Sequence, residues 1–544
     1  MRHLSSVILA VSLLFTGEIS LLAEGHSERD KGYVTGGFES NTNYYHDDSA
    51  SGAKAPDGHF GSNNYLKLDY YNSKFTAGIQ MEAYSPALLG YISGLKGVAL
   101  TNYYVGWTDD DFSITAGTFY DQFGSGLLFR SWEDRALGMN NALTGARVTY
   151  NFRDIVAVKA LWGMPRYGMK YSDTQVRGAD MSFALSNLPS WNSNLYLALE
   201  ASVLDRYERL NDDMKISGCK PNNTGWSARV NMEYDGFFFK GEYVDTGEKY
   251  FYNSKYTDYN DMYRRKNGNA QLVETGYNGR GLGVNLTLRR LEWMYNPVVT
   301  DADPTMNMIN YVPAMCTQYT YMLTTLNPYT ANTGLFSSGF INSGEIGGQL
   351  DVFYNFRRGT LLGGKRGMKV HANFSTYFGL KEEGTFKTGN LLFRDLSVDV
   401  EKQWSKKFKS TIMWSMQEWC KSTGEFKTTW LSNIFVADLL YKFTDAFSTR
   451  LELQYLVTFE DRKDWMAALL EVNFAPHWSV YASDMYNHGM TKLHYYNGGV
   501  SYTKSRTRLA LGYGRYMKGK ICSGGVCKET PAYTGANFSI TTSF

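Results

Sequence analysis

Between Leu451 and Phe459 the chain reads LELQYLVTF, with an apolar residue at every second position. Leu451, Leu453, Tyr455, Val457 and Phe459 would share one face of an extended strand, and Glu452, Gln454 and Thr458 the other. The same period recurs along the chain. Ile346, Leu350, Val352, Tyr354 and Phe356 oppose Glu345, Gln349, Asp351 and Asn355; Leu396, Val398 and Val400 oppose Ser397, Asp399, Glu401 and Gln403. Val370, Ala372, Phe374 and Phe378 oppose Lys369, His371, Asn373 and Ser375. A period of two this persistent demands sheet, with one apolar and one polar face.

A soluble sandwich and a membrane barrel both meet that demand. Connection lengths separate them. Tight links are expected at Asn72-Ser73-Lys74, Asp109-Asp110-Asp111, Arg153-Asp154, Asp235-Gly236, Arg289-Arg290, Ala475-Pro476-His477 and Lys504-Ser505. Between them run longer polar connections, at 44–61, 85–98, 121–141, 163–176, 204–225, 244–278, 296–343, 380–391 and 518–532. Short and long links alternate, as they do in an outer-membrane barrel with short periplasmic turns and long external loops. The expected fold is an all-β, large transmembrane antiparallel β-barrel of about 24 strands, within a range of 22–26 set by boundary error.

Composition fits. The chain holds 41 Tyr, 31 Phe, 12 Trp and 53 Gly against 11 Pro, the usage of long strands joined by turns. Tyr70, Tyr71, Tyr84, Tyr103, Tyr104, Trp107 and Trp478 gather near strand ends, where an interfacial girdle would sit. A formal net charge of +2 gives no reason to expect a nucleic-acid partner.

The start explains how such a chain would reach a membrane. Met1-Arg2-His3 is basic and Val7–Phe15 is an apolar run of signal-peptide length, with Ala23 as the cleavage point. Residues 1–23 are read as a signal peptide and 24–544 as the barrel. The run is too short to span a bilayer, and no later stretch of 18 apolar residues offers a helical span. The end is equally telling. FSITTSF places Phe538, Ile540, Thr542 and Phe544 on the lipid face and Ser539, Thr541 and Ser543 on the lumen face. Phe538, Ile540 and Phe544 are read as the assembly signal, on a last strand that closes against the first near Tyr33–Asn43.

Several stretches resemble a Bacteroidota outer-membrane β-barrel family of unknown function, porin-like in kind. They are PHWSVYASDMYNHG (Pro476–Gly489), HYYNGGVSY (His494–Tyr502), LGYGRYMKGKICSGGVCKETPA (Leu511–Ala532), the final SITTSF, and GTFYDQFGSGLLFRSWEDRALGMNNALTGARV (Gly117–Val148). The resemblance implies one long barrel domain in the outer membrane and assigns no chemistry. CKETPA departs from the family, which would carry a basic and aromatic pair before the proline.

Candidate sites are few. Asp121–Leu137 combines Leu127, Leu128 and Phe129 with Arg130, Glu133, Asp134 and Arg135. Three consecutive apolar residues do not suit an exposed loop. One reading folds the segment into the lumen, where the four charged residues form a constriction; the other keeps it as a charged surface loop. Cys522 and Cys527 flank two glycines in an oxidising compartment and are expected to form a disulfide. Cys219 and Cys316 fall in loops and could pair, leaving Cys420 over. His477 and Ser479 sit two residues apart, as a base and a nucleophile would, but Pro476-His477 reads as a turn without supporting motifs. Asp109-Asp110-Asp111 reads as a solvated turn. No catalytic residue, metal site or cofactor is expected. Inward charges of both signs, among them Lys67, Asp69, Arg229, Glu233, Lys369, Arg450 and Glu471, indicate a wet interior without ion preference.

The leading expectation is a passive, non-enzymatic pore for solutes or macromolecules in the outer membrane of a Gram-negative bacterium. The alternative is a plugged structural barrel that binds a partner through its long loops; an outer-membrane hydrolase has least support. Expected partners are outer-membrane lipid, the outer-membrane assembly machinery and an unidentified protein. Loops 244–278 and 296–343 are the candidates for filling the lumen.

Overall fold

The computed structural model describes residues 32–252, 258, 262–302, 306–333, 344–420, 429–460 and 462–544. The expected signal segment 1–23 lies outside the described residues. Twenty-four antiparallel strands follow in order, each paired with the next, and the last (Tyr533–Ser543) pairs with the first (Tyr33–His46). The short piece Lys170–Tyr171 extends the strand Val156–Tyr167 and stands outside the ring. Closure leaves no edge strand, so backbone groups in an apolar solvent are all satisfied by neighbours.

Alternation sets the two surfaces. On the outside, Val98, Leu100, Val105, Leu199, Val203, Ile412, Phe435, Leu453, Leu470 and Phe538 are exposed, an apolar band that water would not tolerate at this extent. Aromatic rings border the band. Trp226 and Tyr234 lie eight residues apart on the strand Asn222–Tyr234, and eight residues span roughly 26 Å along a strand. At the terminus-side rim, rings from adjacent strands pack at a tilt: Phe237 with Tyr277 at 4.6 Å, Phe447 with Phe474 at 5.2 Å and Trp478 with Tyr502 at 4.7 Å. On the inside, register carries Asp180, Lys159, Arg229, Glu200 and Asp351 onto one continuous polar face.

The barrel seam is pinned at its lower end. Gly36 and Phe544 exchange both backbone hydrogen bonds, at 2.9 and 3.0 Å. The Phe544 ring occupies the space beside Gly36, so that a Cβ there would come within 2.4 Å of it. Deleting Phe544, or replacing Gly36→Val, should therefore lower the yield of assembled barrel more than truncating any loop. Heat-modifiable gel mobility of membrane fractions reads this; equal folded yields would contradict it.

Two expected boundaries are corrected. Most of 244–278 is strand, in Phe237–Tyr252 and Tyr263–Gly279, continuing past a bulge between Asp245 and Glu248. This hairpin outruns the apolar band, so its polar outer part lacks the alternation that marks the other strands. Arg289-Arg290 is no turn. Both lie within Leu282–Glu292, and the chain reverses at Arg280-Gly281, which have φ of 53° and 85°. Arg289 points inward to Glu345 and Arg290 pairs with Glu292, so each buried charge has its own partner. Cys219 and Cys316 are separate thiols: Cys219 packs with Met214, Tyr250 and Tyr263, where burial pushes it up to about 11. Cys420 ends the strand Phe408–Cys420.

Candidate functional site: a loop-built plug in the lumen

Three long connections on the side opposite the termini fold inward and pack on one another. The first, 120–142, turns back twice, pairing Gln122–Phe123 with Phe129–Arg130 and Glu133–Asp134 with Met139–Asn140. Its apolar run has a buried destination: Phe123, Leu127, Leu128, Phe129, Leu137 and Met139 are all buried. The second, described over 293–302 and 306–333, lies against it. Arg130 N donates to Ile309 O and Tyr311 N to Gly126 O, both at 2.9 Å. Asn310 and Asn141 donate side-chain amides to Leu127 O and Met308 O, at 3.0 and 2.6 Å.

The third is the hairpin 517–532, where Cys522 and Cys527 are disulfide-bonded (S–S 2.10 Å). Its tip, Gly524-Gly525, has φ of 59° and 88°, as a two-residue hairpin turn requires. The tip is also pressed into the plug. Val312 N donates to Gly524 O at 2.9 Å, and a Cβ on Gly524 would come within 2.4 Å of the Tyr311 ring. Above it, Asp48 on the first loop joins Arg515 at 2.6 Å and also accepts from Thr534. Burial pushes the Asp48 carboxyl up, but the Arg515 and Thr534 hydrogen bonds outweigh it and hold it at about 2. This clasp over the seam thus stays ionised at any physiological pH.

The plug meets the wall through two kinds of contact. The inward faces of the middle strands turn apolar where the plug lies. Leu161, Val176, Leu204, Val244, Leu272 and Leu291 join the plug residues in one buried cluster of 27. Farther round, Met413, Ile434, Val436 and Leu456 receive Leu323. Elsewhere the wall presents charge, and plug and wall answer it. Arg166 holds Glu82 with two 2.7 Å bonds, both side chains 1% exposed. Asp121 takes Lys159 at 2.6 Å. Glu345 receives Arg289 at 2.8 Å, the Tyr329 hydroxyl, and Asn332 N at 2.8 Å. Gln454 accepts from Leu323 N at 2.9 Å, and Ser125 N donates to Glu242 at 3.2 Å.

The four charged residues expected to form the constriction, Arg130, Glu133, Asp134 and Arg135, do not converge on one point. Glu133 and Arg135 lie together against the first strands: Arg135 pairs with Glu39 at 2.6 Å and with Glu133 at 3.3 Å, and Glu133 accepts from Gln80 at 2.9 Å. Arg135 also covers the Tyr65 ring at 4.3 Å. Arg130 is elsewhere, stacked on Tyr311 at 4.0 Å. Asp134 accepts from Leu137 N and closes a local turn. Glu39, Glu133 and Arg135 keep 27, 22 and 30% of their side-chain surface exposed, between plug and wall. The signal for the wall's apolar patch was present in the sequence, in strands such as Val156–Tyr167 whose inward positions are not uniformly polar.

His477 lies in the turn at the terminus-side rim, with a ring nitrogen 2.8 Å from Thr503 O. Among the described residues no group of three His, Cys, Asp or Glu could hold a metal ion.

No curated protein matches the chain. Among solved structures it is similar to the siderophore receptor PirA from Pseudomonas aeruginosa, at 10% identity and a TM-score of 0.41, over 95% of this chain and 81% of that one. It is similar to the P pilus usher PapC translocation pore at 9% identity and a TM-score of 0.43, over 94% and 99%. A variant of the Rh. blastica porin is similar at 12% identity and a TM-score of 0.27, over 64% and 100%. A family model covers residues 1–544 from end to end, and the protein belongs to that family, a family of unknown function (DUF6029).

Proposed function

We propose that the protein is an outer-membrane channel that passes small solutes passively, through the space its own loops leave in the lumen. The carrying observation is the partly exposed cluster of Glu39, Glu133 and Arg135 where the plug meets the first strands. Charges of both signs at a constriction select among permeants by field and size. In this reading residues 1–23 are removed on export from the cytoplasm of a Bacteroidota bacterium. Phe538, Ile540 and Phe544 address the chain to the assembly machinery, both termini lie in the periplasm, and no catalytic step occurs.

Single-channel recording of the full chain in planar bilayers tests the proposal. Small openings are expected, and Glu133→Gln with Arg135→Gln should shift the cation/anion reversal potential. A folded protein that never opens would sink it. The apolar cluster inside the lumen favours one second reading, a closed barrel whose loops bind a partner; such a protein would stay silent in the same recording.

A further inference from the structure

The charges on the terminus-side rim are unevenly distributed. On one part of the rim the tight turns carry Asp109, Asp110, Asp111, Asp154 and Asp235. Elsewhere three successive turns of that rim, 357–367, 404–407 and 443–446, lie among Arg357, Arg358, Lys365, Arg366, Lys402, Lys406, Lys407 and Lys442, with Asp445 their one acid. The nearby carboxylate Glu401 is already taken by Lys369 and Lys409. Among the described residues no ion pair involves Arg357, Arg358, Lys365, Arg366 or Lys406, and all five are exposed.

These turns are tied into one surface. Lys402 Nζ donates to Leu362 O and Gly363 O, at 2.6 and 2.9 Å, and Lys407 Nζ donates to Phe443 O at 3.0 Å. The turn 357–367 is closed by its own hydrogen bonds, Gly359 N to Gly364 O at 2.7 Å and Gly367 N to Gly363 O at 2.8 Å. At its tip Leu361 is 98% exposed and Leu362 52%. Beside them Trp404 is 61% exposed, in line with Tyr441 and Phe443 of the aromatic girdle.

The side on which this surface leans identifies its occupant. Lys402 follows Val398 and Val400 on the outward, lipid-facing side of its strand, opposite the inward Asp399 and Glu401. The turn it holds therefore rests over the membrane side of the wall and away from the lumen. Exposed leucines, girdle aromatics and unpaired cations at that level match the parts of one molecule: acyl chain, glycerol interface and phosphodiester. Arginine suits the phosphate in particular, through paired N–H donors.

We propose that the turns 357–367, 404–407 and 443–446 form a binding site for an anionic glycerophospholipid of the surrounding bilayer. The phosphodiester sits among Arg357, Arg358, Lys365 and Arg366, and Leu361 and Leu362 enter the acyl region. A barrel held this way at one sector of its rim is biased in tilt relative to the leaflet, which uniform girdle contacts would not achieve.

Native mass spectrometry of the full-length barrel tests the site, after incubation with equal phosphatidylglycerol and phosphatidylcholine in detergent. The wild type should retain phosphatidylglycerol preferentially. Arg357→Gln/Arg358→Gln/Lys365→Gln/Arg366→Gln should lose that preference by at least about tenfold. Leu361→Asp/Leu362→Asp should lose retention with every cation still in place. Both variants change exposed turn residues, and heat-modifiable mobility confirms that each is folded before comparison. Wild-type preference in the quadruple variant would overturn the proposal. So would full retention by the leucine variant, which would mean that no acyl contact takes part, or displacement by inorganic phosphate alone, which would indicate a free-anion site.

Discussion

Deleting residues 121–137 is expected to raise the conductance of the barrel severalfold and to lower its ion selectivity. The expectation follows from size. Barrels of 16–18 strands already leave an aqueous channel, and 22-stranded ones have to be plugged to stay closed. A ring of 24 strands is wider still, so nearly all the resistance to flow must reside in the inserted loops. The deletion removes Phe123, Leu127, Leu128, Phe129, Trp132 and Leu137 from the central buried cluster, along with the Arg135–Glu39 pair. It also strips Ile309 and Tyr311 of their backbone partners Arg130 and Gly126, which loosens the segment 306–333 behind it. The strands Phe112–Phe119 and Leu143–Phe152 stay joined by a short connection, and their register is set by the ladder between them. The wall therefore survives. Conductance indistinguishable from wild type would mean that the segment does not limit flow.

The same deletion says how the plug moves in the intact protein. Burying a large apolar side chain is worth about 1.5–3 kcal/mol, and the central cluster holds 27 buried residues. Thermal motion will not eject such a body as a unit. In the proposed channel, passage is then confined to the space left around a fixed plug, which suits small solutes.

The wall was legible in the sequence because lipid outside and water inside impose a strict period of two. LELQYLV, the first seven residues of LELQYLVTF, lies in the strand Phe447–Val457 with Leu451, Leu453 and Tyr455 outward and exposed, and Thr458 and Phe459 follow its end. The closing strand was legible for the same reason. Where the environment on the two sides becomes equal, the signal vanishes. The outer halves of Phe237–Tyr252 and Tyr263–Gly279 are covered by loops, Phe251 by Trp293 and Tyr295 and Tyr250 and Tyr263 by Met214 and Cys219, so apolar and polar residues no longer alternate there and they read as loop. The plug was half legible. Leu127-Leu128-Phe129 announced a buried destination, but its receiving surface is assembled from single inward residues on strands far apart in sequence, such as Leu161, Leu204 and Leu272. One leucine breaking an inward polar row is too small a mark to notice alone. Charge was harder again: Arg130 and Arg135 lie five residues apart, yet one stacks on Tyr311 and the other crosses to Glu39.

Arg166→Leu is expected to release the plug locally without opening the barrel wall. Arg166 and Glu82 are each 1% exposed and joined by two 2.7 Å bonds across the loop-side mouth of the lumen. Tyr84 and Thr101 also donate to Glu82, at 2.9 Å each, but neither brings a charge. Removing the guanidinium leaves a buried carboxylate uncompensated, at a cost of about 3–5 kcal/mol. That cost falls on the contacts that bury Glu82. Amide exchange over 120–142 and 165–174 should speed up by about 10²–10⁴-fold, while the ladder of the first and last strands stays protected. The double variant Glu82→Leu/Arg166→Leu removes both charges, and replacing a buried pair by apolar groups is often neutral. It should recover most of the protection, and the coupling between the two sites should be large and of opposite sign to either single loss. If the double variant exchanged as fast as Arg166→Leu, the stability of the plug would rest on the shape of the arginine and its bond to Gly168 O, at 2.7 Å, and the ion pair would have no separate role.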